Sequence, residues 1–437
     1  MSQALPLSRE QRAWQGKILV ATFMAYAGYY LVRKVFSICK STLAKPIEEG
    51  GYGMGYEDVA NIWTAFLVAY MVGQFANSYL GRKWGPRVLL LGGLAASMAC
   101  NVIFGFANSY TTFLVFMAFN GLVQASGWPA AVGGVAEWLR PKERGAIMGF
   151  WSSSYIVGNL VVKFAAGTLL LHYGVPYAFW GCTLLTFVIW WVVYFWQRDR
   201  PEDVGLAPIV DMQQNEAGEA VAASESLQIS FADYLKLALN PLILLMGVAY
   251  FCLKFLRYML DSWLPAFLDL QGLDVAKAAQ YSTFFDIAGL AGAVLAGLAL
   301  DRLFRGRWDK LCLVLAVGMV LGYVCVIMAG TNLFVQALCF GLVGLMLYGP
   351  DTIMCGAAAV VVAGERNAVA VAGLVNGIGS IGPIVQEQVI GRLLSDSGET
   401  AAIRDSNFLG LGISVVYLLL MVLIVVVMQI SLRKRSA

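Results

Sequence analysis

The sequence predicts an all-α membrane protein: twelve transmembrane helices in two pseudo-symmetric six-helix halves, with both termini cytoplasmic. Three observations carry this. The 437 residues are 59% hydrophobic and only 13% charged, with a mean hydropathy of +0.71, whereas soluble domains average about 25% charged residues. Stretches without Asp, Glu, Lys or Arg run from 88 to 136, 164 to 197, 311 to 350 and 406 to 432, each longer than the about 20 residues that cross a bilayer core as helix. A shift of 220 to 224 residues brings similar features into register, Leu31-Val32-Arg33 onto Phe255-Leu256-Arg257 and Gly81-Arg82 onto Asp301-Arg302. A duplicated six-helix unit is a secondary-transporter architecture, with its site expected between the halves.

Apolar windows broken at Gly, Pro and charged clusters place the spans at 17–40, 58–81, 87–107, 110–139, 145–171, 176–197, 241–268, 276–300, 309–329, 333–362, 367–394 and 407–432. Connections as short as Asn108-Ser109 and His172-Tyr173-Gly174 force antiparallel neighbours. The polar stretch 198–235 is rich in Glu, Ala, Ser and Gln and has no apolar run long enough to cross. It separates an N-terminal bundle, 1–197, from a C-terminal bundle, 236–437. The polar start of the chain runs into a long apolar helix without a small-residue cleavage site, unlike a removable signal peptide.

Orientation follows from the basic residues, because Lys- and Arg-rich loops stay cytoplasmic. A cytoplasmic amino terminus puts 20 of the 30 Lys and Arg on that side, including Arg82, Lys142, Arg144, Arg302 and the tail Arg433-Lys434-Arg435. The opposite loops then hold Lys40, Lys45, Lys277, Arg392 and Arg404. The net charge of +3, without a basic block, gives no sign of nucleic-acid binding. Eight cysteines scattered in apolar segments read as small hydrophobes, with no disulfide or metal spacing. No nucleophile and base are paired in sequence, so an enzyme, a metal or another cofactor is not expected.

Nine charges lie inside predicted spans: Arg33, Lys34, Lys163, Lys254, Arg257, Asp261, Asp286, Asp351 and Glu387. Each costs about 2.5–3.5 kcal/mol at the bilayer centre even on the lenient insertion scale, so they should face a cavity or one another. Some serve packing as buried ion pairs. Arg257 and Asp261, four apart, share a helix face, and Lys34 alternatively reaches Asp261 across the duplication. Arg33 and Arg257 stand apart, since the duplication repeats the same residue type at equivalent depth. Two guanidiniums suit a tetrahedral dianion such as phosphate. An empty cavity with two uncompensated cations resists closing, whereas an occupied one is nearly neutral, and such coupling produces exchange. Tyr29, Tyr30, Trp63, Tyr70, Trp128, Trp151, Tyr155, Tyr250, Tyr258 and Trp263 are aromatic candidates for the cavity wall.

Several motifs carry a resemblance: Gly28-Tyr29-Tyr30-Leu31-Val32-Arg33-Lys34, Asn120-Gly121 through Gln124 to Gly127-Trp128-Pro129, Lys142-Glu143-Arg144-Gly145, Asp199-Arg200-Pro201-Glu202-Asp203-Val204-Gly205-Leu206 and Tyr348-Gly349-Pro350. Over nearly its whole length the chain resembles the organophosphate:phosphate antiporters of the major facilitator superfamily, which include glycerol-3-phosphate, hexose-phosphate and phosphoglycerate transporters. The resemblance implies that Arg33 and Arg257 are the phosphate-binding arginines and that Lys34 and Asp261 form a gating pair. Asp286 falls where the glycerol-phosphate transporter has a glutamate. Gly297 to Arg302, with Asp301 and Arg302, resembles the cytoplasmic gating motif. Its first-half counterpart, Tyr79 to Arg82, has Gly81 where the motif's aspartate belongs.

The chain departs from bacterial members at Gln74, where they carry a lysine, and at Tyr155, where they carry a histidine. Its single histidine, His172, lies at the external end of the fifth span, so a histidine switch at the site is unavailable. Ser37-Ile38-Cys39-Lys40-Ser41 looks closer to eukaryotic-type sugar-phosphate exchangers. The expected function is exchange of a small organophosphate, a sugar phosphate or glycerol-3-phosphate, for inorganic phosphate by alternating access. Tyr30, Tyr155, Gln74, Lys163, Asp286 and Glu387 are expected to tune selectivity. The expected location is a bacterial inner membrane and the expected state a monomer. Two alternatives stand beside it: a membrane sensor of an external sugar phosphate, and a proton-coupled organic-anion facilitator using Asp351 or Glu387.

Overall fold

The computed structural model describes residues 7–140, 147, 151, 153–209 and 231–436. Lys142, Arg144 and the part of the central loop from 210 to 230 lie outside the described residues, as does the side chain of Arg82. The described residues form helices joined by short connections: α1 (Arg9–Ala44), α2 (Tyr56–Trp84), α3 (Pro86–Phe106), α4 (Tyr110–Gln124), α5 (Gly127–Ala136), α6 (Ser154–Tyr173), α7 (Val175–Trp196), α8 (Phe231–Ala238), α9 (Pro241–Leu270), α10 (Val275–Tyr281), α11 (Thr283–Arg302), α12 (Trp308–Met328), α13 (Leu333–Cys355), α14 (Ala357–Gly379), α15 (Ile381–Asp396) and α16 (Glu399–Ser436).

Eight segments among the described residues are long and apolar enough to cross a membrane: Pro86–Phe106, Ser154–Tyr173, Val175–Trp196, Pro241–Leu270, Val275–Arg302, Trp308–Met328, Leu333–Gly364 and Glu399–Ile430. The other predicted spans fall in α1 and α2, whose apolar runs are interrupted by polar residues, or in helices that the structure breaks. The predicted span 110–139 is broken at Ala125-Ser126. Pro129 has no N–H to give the Ala125 carbonyl, and the Ser126 hydroxyl donates to the Val123 carbonyl at 2.8 Å. The same chemistry separates α14 from α15, where Pro383 lacks a donor for Gly379 and the Ser380 hydroxyl donates to Asn376 at 2.7 Å. Ser282 divides 276–300 in the same way, donating to the Ala279 carbonyl at 2.7 Å. The gap expected between 362 and 367 coincides with Gly364, whose φ of 74° interrupts α14.

Two compact units result, one of Met1–Cys39 with Ile62–Ser226, the other of Lys40–Asn61 with Leu227–Ala437. In the first, α3 packs on α4, α5 and α7, and α6 on α7. Tyr26, Tyr29, Leu90, Leu94, Trp138 and Trp151 form its buried centre. The Tyr29 hydroxyl donates to the Leu90 carbonyl at 3.0 Å, which satisfies a polar group that the apolar interior would otherwise strand. The turn into α3 is pinned from afar, because Asp199 accepts the Arg87 N–H at 2.8 Å beside Gly85. Burial pushes the Asp199 carboxyl above the usual carboxylate range, against the opposing effect of that hydrogen bond.

In the second unit α13 packs on α11 and α12, α12 on α16, and α9 on α14, α15 and α16. The α11–α13 approach depends on Gly292, where a methyl group would run into the Leu345 backbone carbonyl. Helix starts are capped by Asn240, which accepts the Leu242 N–H at 2.9 Å, and Asp274, which accepts the Lys277 N–H at 2.9 Å.

Candidate functional site

In the first unit α1 carries Arg33 inward among aromatic rings. Its Nε donates to Gln124 Oε1 on α4 at 2.7 Å. Its guanidinium lies 4.9 Å from the Tyr30 ring centroid, 4.8 Å from Tyr70 and 5.6 Å from Phe66. The Gln124 acceptor and the two tyrosine faces orient a planar cation while leaving it charged, and cation–π contacts strengthen when desolvated. Tyr155 packs on Tyr30 at 5.8 Å between centroids, so two sequence candidates lie beside Arg33. Lys34 is buried with its Nζ 5.4 Å from the Trp63 ring, which stacks on Phe36 and Phe66. Lys163 is buried on α6, Gln74 is exposed on α2, and His172 is exposed at the end of α6.

In the second unit Arg257 on α9 occupies a comparable setting, its guanidinium 4.6 Å from the Tyr348 ring. Its acid partner is Asp351 on α13, through a direct ion pair. Asp286, buried on α11, accepts a hydrogen bond from the Tyr348 hydroxyl at 3.5 Å. Lys254 donates to Asn376 at 2.8 Å and Ser380 at 3.0 Å. Asp261 is half-buried on α9, one turn beyond Arg257, and Asp301 and Arg302 are exposed at the end of α11. The structure thus places Asp351 and Tyr348 against Arg257, with Asp286 on the Tyr348 hydroxyl.

One residue differs in setting from the sequence expectation. Lys40, expected in an external loop, belongs to α1 and is fully buried. It forms an ion pair with Glu387, which is also fully buried, so Glu387 faces an internal cation. The chain signal for this was available: Lys40 continues the helical period of α1 without a breaker before Ala44. Gln124 stands in the Asn120 to Pro129 motif, but the motif does not say that its amide faces Arg33, because helical sequence does not name the partner a neutral side chain will meet.

Comparison with known proteins follows the same lines. The Major Facilitator Superfamily family model matches residues 18–386. The membrane sensor protein UhpC of Salmonella typhimurium is 28% identical over 352 residues, 80% of this chain and 78% of that protein. Sugar phosphate exchanger 3 of Mus musculus is 26% identical over 435 residues, 87% of each chain. A putative glycerol-3-phosphate transporter 1 of Arabidopsis thaliana is 27% identical over 448 residues, 89% of this chain and 84% of that one. Among solved structures, a bacterial homologue of the human lysosomal transporter Spinster superposes with a TM-score of 0.73 at 14% identity, covering 96% of this chain and 97% of that one. A D-xylose-proton symporter superposes with a TM-score of 0.70 at 14% identity, covering 93% and 97%. The chain belongs to the Major Facilitator Superfamily, an integral-membrane transporter family rather than an enzyme family, and within it resembles the organophosphate:phosphate antiporters.

Proposed function

We propose that this protein is a secondary transporter that exchanges a small organophosphate, a sugar phosphate or glycerol-3-phosphate, for inorganic phosphate. The observation that carries the reading is the paired setting of Arg33 and Arg257. Each is a guanidinium oriented on a tyrosine face and bonded to a polar side chain of its own unit, Gln124 in the first and Asp351 in the second. Two oriented guanidiniums offer four or more N–H donors to the three oxygens of a phosphoryl group, a geometry that a lysine pair does not match. Relatives whose names refer to sugar phosphate and glycerol-3-phosphate support the substrate class.

In this reading the chain crosses the membrane twelve times with both termini cytoplasmic, as bundles 1–197 and 236–437 joined by the loop 198–235. Arg33 and Arg257 bind the phosphoryl group. Lys34 and Asp261 form a state-dependent pair, and Arg82, Asp301 and Arg302 serve the cytoplasmic gate. Tyr30, Tyr155, Gln74, Lys163, Asp286 and Glu387 contribute to selectivity. The protein acts as a monomer in a bacterial inner membrane. The test is counterflow of radiolabelled phosphate in proteoliposomes, competed by phosphate esters and by the same sugars without phosphate. Inhibition by esters alone supports exchange; absence of counterflow rejects it.

The similarity to a membrane sensor favours one second reading, recognition of an external sugar phosphate without turnover. Saturable ester binding by protein that shows no counterflow distinguishes it.

A further inference from the structure

Two ion pairs of the second unit differ in construction. Lys40 and Glu387 form a closed pair. Both side chains are fully buried, Lys40 also donates to Ser262 at 2.6 Å, and the Ser262 hydroxyl lies 3.3 Å from the other Glu387 oxygen. Every polar atom there has work, as a structural ion pair requires if its desolvation is to be offset. Arg257 and Asp351 form an open pair. Asp351 is only 6% exposed, yet its Oδ1 accepts no hydrogen bond among the described residues, while the Arg257 side chain is 20% exposed. A buried carboxylate oxygen left unsatisfied is costly, so this pair is held less securely than its burial suggests.

The backbone around Asp351 is built to give. Pro350 precedes it within α13 and has no N–H for the Met346 carbonyl. The Thr352 hydroxyl follows it and donates to the Gly349 and Tyr348 carbonyls, at 2.9 and 3.2 Å. Helices yield where a proline and a back-bonding threonine coincide. Arg257 also lies over the Tyr348 ring, 4.6 Å from its centroid, a contact that does not involve the Asp351 carboxylate.

We infer that Asp351 is a resident counter-anion: it occupies the Arg257 guanidinium in the substrate-free protein, and an incoming phosphoryl group must displace it. This rests on the exchange reading above and deepens it. Asp351 is a positioning residue acting through Arg257, with three consequences. It weakens apparent phosphate affinity by the fraction of time it occupies Arg257, and it returns to the guanidinium as phosphate leaves, which speeds release. It also compensates one arginine charge in the empty protein, lowering the desolvation cost of cycling without substrate. The ratio of net phosphate efflux to exchange therefore depends on the Asp351 charge.

The experiment compares wild type, D351N, D351S and D351E in proteoliposomes. The expected result is a KM for phosphate about tenfold lower in the neutral variants, with a lower maximal rate and a smaller ratio of net efflux to exchange. D351E, which restores a carboxylate, should return all three toward wild type. D351S carries the same expectation with a smaller side chain, should D351N fail to fold. Simple loss of a structural pair would raise KM or abolish transport in folded protein, and that outcome, or an unchanged KM, overturns the inference while leaving exchange intact. Wild type without phosphate counterflow or binding rejects the exchange reading itself, and this inference with it.

Discussion

Lys40 and Glu387, 347 residues apart in the chain, pair with neither side chain reaching solvent, and the Lys40 ammonium also lies 3.8 Å from the Trp263 ring centroid. Removing one partner strands a buried charge, which costs about 3–5 kcal/mol, whereas replacing both by apolar side chains of similar size is often neutral. K40M and E387Q should each lower the thermal stability of detergent-solubilised protein strongly, and K40M/E387M should recover most of it. A double variant no more stable than the singles would show that the pair does not act as a unit.

Gln124 orients Arg33, and the hydrogen bond involves a charged group, for which about 1.5–3 kcal/mol is typical. Q124A should raise the KM for phosphate by roughly tenfold or more, as a hydrogen bond to a charged group is lost. Q124E should weaken phosphate binding further, because it places a competing anion on the arginine. Counterflow titrations check both, and an unchanged KM in Q124A would remove Gln124 from the site.

Arg33→Lys and Arg257→Lys each keep a positive charge and lose the planar fork. Phosphate counterflow in proteoliposomes should be abolished in both. Near-normal exchange in either variant would sink the assignment of a paired-arginine receptor.

Asp199 supplies the pH-dependent expectation. Burial raises its folded-state pKa, so its contribution to stability is complete below the unfolded value of about 4 and is lost as pH rises through the folded value. At neutral pH the ionised carboxylate is a net cost. D199N keeps an oxygen for the Arg87 N–H and cannot ionise, so it should melt above wild type at pH 7, with the difference closing below pH about 4. Thermal unfolding across that range checks the sign; D199N melting below wild type at pH 7 contradicts it.

Much of the fold was legible in local pattern. Composition placed the chain in a membrane, and long charge-free windows located α3, α7, α12 and α16 to within a few residues, except that α16 begins earlier than expected. The connections at Asn108-Ser109 and Gly174 fall where they were expected. The breaks at Ser126, Ser282 and Ser380 were less legible. An apolar window averages over a serine whose hydroxyl turns back onto the preceding turn, and over a proline whose missing donor is felt four residues earlier.

For the candidate site, the sequence by itself determined which charges lie in apolar helices and, through the 224-residue offset, set the expectation that Arg33 and Arg257 correspond. Tertiary structure alone decided their partners. Helical period assigns a side chain to a face, but not the helix that will pack there. Arg257 reaches Asp351, 94 residues away, and Arg33 reaches Gln124, 91 residues away. In an interior where an uncompensated charge costs several kcal/mol, each cation is matched to whatever acceptor packing brings within reach. That is why Glu387 pairs with Lys40, and why the acid on Arg257 is the one beside Pro350.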